Sequence, residues 1–153
     1  EKGMSRKDKE RYYFNNGYAY YSSNDFEQAA TYLNKVRDSK EYGSQAKYYL
    51  GYMAYEGDDY EQANELFEEV KGEDRYSENL SYFQSDMSFK LGNFEKAIAL
   101  GLEQLPKANR GEISQLNKII GESYFNLGKY EEAIPYLNEY KGLRGKWTNT
   151  DYY

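Results

Sequence analysis

The chain has no cysteine and no histidine among its 153 residues, and only two prolines. Each absence removes chemistry. Without Cys or His there is no disulfide framework, no Cys/His zinc site, no thiol nucleophile and no imidazole base. No apolar run approaches the roughly 18 residues that suggest a membrane span. Basic residues are scattered singly, 20 Lys and Arg against 26 Asp and Glu for a net charge of −6. The broad basic surface that a phosphate backbone needs is therefore missing, and nucleic acid is not an expected partner. The N-terminal stretch Glu1–Lys7 has no apolar segment of a signal peptide and does not begin with Met, so the chain reads as part of a longer protein. Lack of cysteine selects no compartment.

What is there instead is tyrosine, 20 residues of it. With 39% hydrophobic and 30% charged residues, the composition is that of a soluble chain long enough to bury one sizeable core. Four blocks then align: Asn24-Asp25-Phe26-Glu27-Gln28-Ala29, Asp58-Asp59-Tyr60-Glu61-Gln62-Ala63, Gly92-Asn93-Phe94-Glu95-Lys96-Ala97 and Gly128-Lys129-Tyr130-Glu131-Glu132-Ala133. Their alanines recur at spacings of 34, 34 and 36 residues. Twelve residues before each alanine stands a small residue, Gly17, Gly51, Ser85 or Gly121, and four after it comes Leu33, Phe67, Gly101 or Leu137.

A period of 34 with this pattern resembles the tetratricopeptide repeat, a pair of antiparallel helices A and B. The resemblance spans about residues 10–144. It implies an all-α fold, a right-handed α-solenoid of antiparallel helix pairs, formed by a single domain over 1–153. The repeats fall at 10–43, 44–77, 78–113 and 114–147, and 148–153 begins a fifth A helix, as in a slice of a longer array. The bland alternative for that end is a short tail docked on the fourth pair. The sequence departs from the family in places. The bulky aromatic before the small residue is Tyr13 in the first repeat but Lys47, Ser81 and Asn117 in the others. Pro106 only approximates the inter-repeat proline, and the third repeat carries Ser81, Ser85 and Ser88 along its internal stripe.

Local signals agree. Asp25-x-x-Gln28 and Asp59-x-x-Gln62 have the form of capping boxes, and Asn93 suits an N-cap whereas Lys129 does not. Helices are expected at 8–22, 26–38, 44–57, 60–71, 76–91, 94–105, 110–127 and 130–142, with Pro135 loosening the last.

Each A helix divides into three stripes. One faces its own B helix through the small residue. A second, Ala46-Leu50-Met53 and its counterparts, packs on the preceding B helix. The third reads Phe14, Tyr18, Tyr21; Tyr48, Tyr52, Tyr55; Tyr82, Asp86, Phe89; and Lys118, Glu122, Phe125. The resemblance implies that this third stripe lines a concave, Tyr-rich peptide-binding groove, with Asp86, Lys118 and Glu122 as its polar end. The bland reading of its aromatics is packing between neighbouring helices. Some family members clamp a C-terminal carboxylate with Lys, Arg and Asn. Here Phe14, Tyr18, Tyr48 and Tyr52 hold those places, so that ligand is not expected.

No catalytic group, cofactor or metal is expected. Asp58-Asp59 fits a turn and cap better than a cation loop, and Gly142-Leu143-Arg144-Gly145-Lys146 lacks the setting of a phosphate loop. The expected function is noncatalytic binding of a protein or extended peptide, apolar or proline-containing, with no direct membrane span. The alternatives are a structural spacer within a larger repeat protein, or a regulatory domain appended to an enzyme or sensor. An exposed cut end would allow end-to-end self-association. Tyr- and Asn-rich arrays of this kind resemble those of bacterial cell-envelope proteins, which points to the periplasm over the cytoplasm.

Overall fold

The computed structural model describes residues 3–144, apart from the side chains of 74–78 and of 143 and 144. The expected fifth helix at 148–153 lies outside the described residues. The described residues form eight α-helices: α1 Arg6–Ser22, α2 Phe26–Leu33, α3 Gly43–Glu56, α4 Tyr60–Val70, α5 Asp74–Lys90, α6 Phe94–Gln104, α7 Arg110–Asn126 and α8 Tyr130–Arg144. Among the described residues there is no strand, and no helix is long and apolar enough to cross a membrane. The fold is the expected all-α arrangement of tetratricopeptide-like helix pairs.

The chain divides into two compact units, Glu1–Ser77 and Glu78–Tyr153. The first holds the hairpins α1–α2 and α3–α4. The second holds α6, the α7–α8 hairpin and most of α5.

Helix bounds differ from expectation where local hydrogen bonding decides them. α1 starts earlier because Ser5 Oγ accepts from the Asp8 amide at 3.1 Å. The last turn expected of α2 tightens into a 3₁₀ turn at Asn34–Val36, and α6 is followed by another at Leu105–Lys107, where Pro106 sits in the first turn. Asp25 and Asp59 cap as expected, each Oδ1 accepting at 3.3 Å from Gln28 and Gln62. Asn93 occupies the N-cap of α6, but its side chain makes no capping bond.

One turn is built four times. Asn24, Asp58, Gly92 and Gly128 all have positive φ, at 64°, 65°, 81° and 78°. Asn, Asp and Gly are the residues that enter this left-handed region at least cost. In each turn the next amide reaches back to close the A helix: Asp25 to Tyr20 O, Asp59 to Ala54 O, Asn93 to Ser88 O and Lys129 to Tyr124 O, all at 2.8–2.9 Å. The four-fold repetition of Asn, Asp, Gly, Gly at this place is thus a backbone requirement.

Inside the hairpins a knob meets a hole. A Cβ built on Gly17 would lie 2.7 Å from the Leu33 side chain, on Gly51 2.7 Å from the Phe67 ring, and on Gly121 2.6 Å from Leu137. The missing side chains let the A and B helices approach and let the large B-helix residue fill the gap. Leu33 and Phe67 are fully buried, each contributing about 1.5–3 kcal/mol from burial alone. The third hairpin reverses the arrangement. Its B helix carries Gly101 where the knob would be, its A helix carries Ser85, and the space is filled by Ile120 of α7, 2.9 Å from a Cβ placed on Gly101. Ser85 Oγ donates to Ala97 O at 2.8 Å, so the buried hydroxyl is satisfied.

The two units have different interiors. The first is built around Phe14, Ala29, Leu33, Val36, Ala46, Leu50, Met53 and Leu66. In the second, Leu80, Met87, Leu116, Ile119 and Ile120 are buried alongside polar groups. Among the described residues every buried polar side chain falls in this unit, including Gln84, Asp86, Gln104, Glu112 and Asn117. Gln104 donates to Glu112 at 3.2 Å, and Asn117 to Ile113 O at 2.9 Å.

Candidate functional site

The first unit presents a continuous set of aromatic rings. Along α1, Phe14 stacks on Tyr18 and Tyr18 on Tyr21, both at 6.3 Å between centroids, as i,i+4 and i,i+3 neighbours do. From α3, Tyr49 enters this row, 4.6 Å from Tyr21 and 5.5 Å from Tyr18. Tyr52 meets Tyr21 edge-on at 6.1 Å and continues to Tyr55 at 6.3 Å, and Tyr55 to Tyr60 at 6.2 Å. Each favourable ring pair adds about 0.5–1.5 kcal/mol beyond its burial.

The members of the row differ in what they can offer a ligand. Tyr18 is 46% exposed and stands at the surface of the row. Tyr21, Tyr48, Tyr52 and Tyr55 are half-buried. Phe14 is 9% exposed and stacks on Tyr42 at 4.9 Å, which makes it part of the core. Tyr48 leans towards α4, with its ring 6.1 Å from Phe67.

Tyr49 was not among the expected groove residues, and it is central. It lies between the second and third stripes of α3, three residues after Ala46. The series Ala46, Tyr49, Leu50, Met53 has the i, i+3, i+4, i+7 spacing of a packed face. That spacing is the signal that identifies it.

The last residue of each third stripe shares one partner. Tyr21 packs on Phe26 at 5.9 Å, Tyr55 on Tyr60 at 6.2 Å, Phe89 on Phe94 at 6.1 Å and Phe125 on Tyr130 at 5.0 Å. In every case this is the first aromatic of the hairpin's own B helix. These pairs brace the turn, which accounts for an aromatic at both places in all four repeats.

In the second unit the corresponding residues form a different surface. Asp86 is only 2% exposed and pairs with Lys90 at 3.0 Å, so it stands inside the protein and not along an open polar edge. Tyr82 and Phe89 are half-buried, as are Lys118 and Glu122, while Phe125 is 55% exposed. Burial raises the Tyr82 phenol above its ordinary pKa, with the charges of Asp86 and Glu112 adding to the effect and Lys90 opposing it.

Burial, followed by the neighbouring Tyr52, Tyr48, Tyr49 and Tyr18, pushes the Tyr21 pKa up to about 12. Tyr52 is also raised, first by burial and then by the charge of Glu56 and a hydrogen bond to it. The folded state therefore holds the Tyr21 proton more tightly than the unfolded state. This contribution to stability is complete below about pH 10 and is lost as pH rises towards about 12. Tyrosinate absorbance should show a component titrating near pH 12 that Tyr21→Phe removes. If the wild-type titration is complete near pH 10, the ring row does not shield this hydroxyl.

No group of three or more acidic side chains among the described residues is placed to hold a metal ion. Asp58 and Asp59 are occupied as the left-handed turn residue and the cap of α4.

Two family models, both described as tetratricopeptide repeat, match residues 14–78 and 119–146. No curated protein matches the chain. Among solved structures, one MamA mutant is similar over 92% of this chain and 95% of its own, at 18% identity and a TM-score of 0.62. A second MamA mutant covers 91% and 99% at 18% identity and a TM-score of 0.60. MamA AMB-1 covers 94% and 96% at 15% identity and a TM-score of 0.58. At such identities the likeness is one of fold. With the repeated left-handed turns, the knob-and-hole hairpins and the two matched segments in phase with them, the chain belongs to the tetratricopeptide-repeat family.

Proposed function

We propose that the aromatic face of α1 and α3 binds an extended segment of a partner protein, apolar or proline-containing, and that the chain serves as a scaffold in a larger assembly. Tetratricopeptide-repeat proteins bind proteins or peptides and are generally noncatalytic. The observation that carries the reading is the ring row itself, continuous from Tyr18 through Tyr49 and Tyr21 to Tyr52, with Tyr18 46% exposed. Tyrosine suits such a surface. It offers a large contact area with few rotamers to freeze, and a hydroxyl that can bond a peptide backbone.

Not every third-stripe residue belongs to that surface. Phe14 and Asp86 are buried, and the turn-bracing pairs already occupy one side of Tyr21, Tyr55, Phe89 and Phe125. Tyr18 and Tyr52 remain as the residues to test. A Tyr18→Ala/Tyr52→Ala variant that keeps the wild-type melting temperature should no longer recover the partners that the wild-type chain captures. Undiminished recovery by that variant would remove the groove and leave the structural-spacer reading.

A further inference from the structure

Cationic side chains are missing from one part of the first unit. There is no Lys or Arg between residues 12 and 34, nor between 48 and 70, the two stretches that carry the whole ring row. The corresponding stretches of the second unit contain Lys90 and Lys96, and Lys118 and Lys129. In the first unit the nearest ammonium before the second stretch, that of Lys47, is held by Glu69 at 3.2 Å.

Negative potential gathers at one end of the row. α1 and α3 both end without a basic residue in the last turn, so neither helix supplies a cation of its own against the partial negative charge of its C-terminus. Tyr21 and Tyr52 lie in those last turns or just before them. Glu56 ends α3, is exposed, and hydrogen-bonds with the Tyr52 hydroxyl. Asp58, also exposed, accepts from the Tyr60 hydroxyl at 2.9 Å. The faces of the tyrosine rings add the negative pole of their quadrupoles. The same unit already uses this attraction elsewhere, with Lys35 Nζ 5.1 Å from the centre of the Tyr13 ring.

We propose that this end of the aromatic face is an arginine-binding surface, on which a guanidinium from the partner segment lies against Tyr52 and pairs with Glu56. The inference rests on the peptide-binding reading above and names the side chain that anchors the segment. Arginine fits better than lysine. Its planar group stacks on a ring and is weakly hydrated, and it can hydrogen-bond a carboxylate in two places.

The test uses the 153-residue chain and three fluorescent synthetic peptides built of proline and alanine, identical except for a central arginine, citrulline or glutamate. Citrulline keeps the shape of arginine and removes its charge. The arginine peptide should bind about tenfold more tightly than the citrulline peptide, with the glutamate peptide weakest. Glu56→Gln should bring the arginine and citrulline affinities to within about twofold of each other. Equal affinity for arginine and citrulline, both lost in Tyr18→Ala/Tyr52→Ala, overturns the arginine inference and leaves peptide binding standing. An arginine preference that survives both Glu56→Gln and the double tyrosine change is general attraction to an acidic chain, and it also overturns the inference. Binding of none of the three peptides overturns it as well, and the partner-recovery experiment then decides the broader reading separately.

Discussion

Phe67→Ala should lower the unfolding free energy by about 3–5 kcal/mol, read from urea denaturation followed by circular dichroism. The ring is fully buried, so its removal leaves a cavity in the interior. It fills the hole above Gly51, where its Cε1 and Cδ1 atoms come within 2.9 Å of where a Cβ would stand. The Tyr48 ring is also a neighbour, at 6.1 Å, so the loss loosens one side of the aromatic row too. Phe67→Leu should cost less than half as much, since a branched aliphatic serves as the knob at the equivalent places, Leu33 and Leu137. A loss below about 1 kcal/mol for Phe67→Ala would mean that α3 and α4 close the cavity by moving together, against the expectation for a close-packed interior.

Gly121→Val should be nearly as damaging, by about 3 kcal/mol at the upper end of overpacking costs. Even a bare Cβ at this place would lie 2.6 Å from Leu137 Cδ2, 2.7 Å from Cγ and 3.2 Å from the Leu137 amide nitrogen. The last of these is backbone, so turning the leucine away cannot relieve the crowding by itself. Leu137→Ala in the same chain should recover part of the loss, because it removes two of the three close contacts. Gly142 supplies the contrast. It lies in α8 with nothing within 4 Å of its would-be Cβ, so Gly142→Ala should be neutral or stabilising. A Gly121→Val variant as stable as wild type would show that the hairpin does not depend on close approach at this residue.

Much of the backbone was legible because it repeats. The alanine spacing, the small residue twelve places earlier and the turn residues before each B helix recur with the period of the hairpin. A feature seen four times in phase is hard to mistake. Asp25 and Asp59 could be placed as caps because capping depends on neighbours within three residues. Asn93 shows the limit of that reasoning. A residue suited to the N-cap was present and the bond was not made.

The candidate site was less legible, because it depends on which side chains meet across helices. Tyr49 sits between two stripes; its spacing with Ala46, Leu50 and Met53 marks a packed face, and its contacts with Tyr21 and Tyr18 show what that face meets. Asp86 is expected at the polar end of the groove from its position on α5. Its pairing with Lys90 one turn along is local to α5, but its burial is a tertiary outcome. Gly101 stands where the other hairpins carry a large residue, and only the tertiary structure shows Ile120 filling its space. The paired packing of Tyr21 on Phe26 and its three equivalents was visible as composition but not as contact.

The exchange at Ser85, Gly101 and Ile120 has a consequence for cooperativity. A hairpin that carries its own knob keeps most of its packing energy within itself and can persist while a neighbour frays. The third hairpin has placed that energy in its joint with the fourth. In a nearest-neighbour description of repeat proteins, its intrinsic term is weak and its coupling term strong. The third and fourth hairpins therefore gain and lose order together. α7 is then the element on which the order of both depends, since it packs against α8 in its own hairpin and supplies the missing core of the one before.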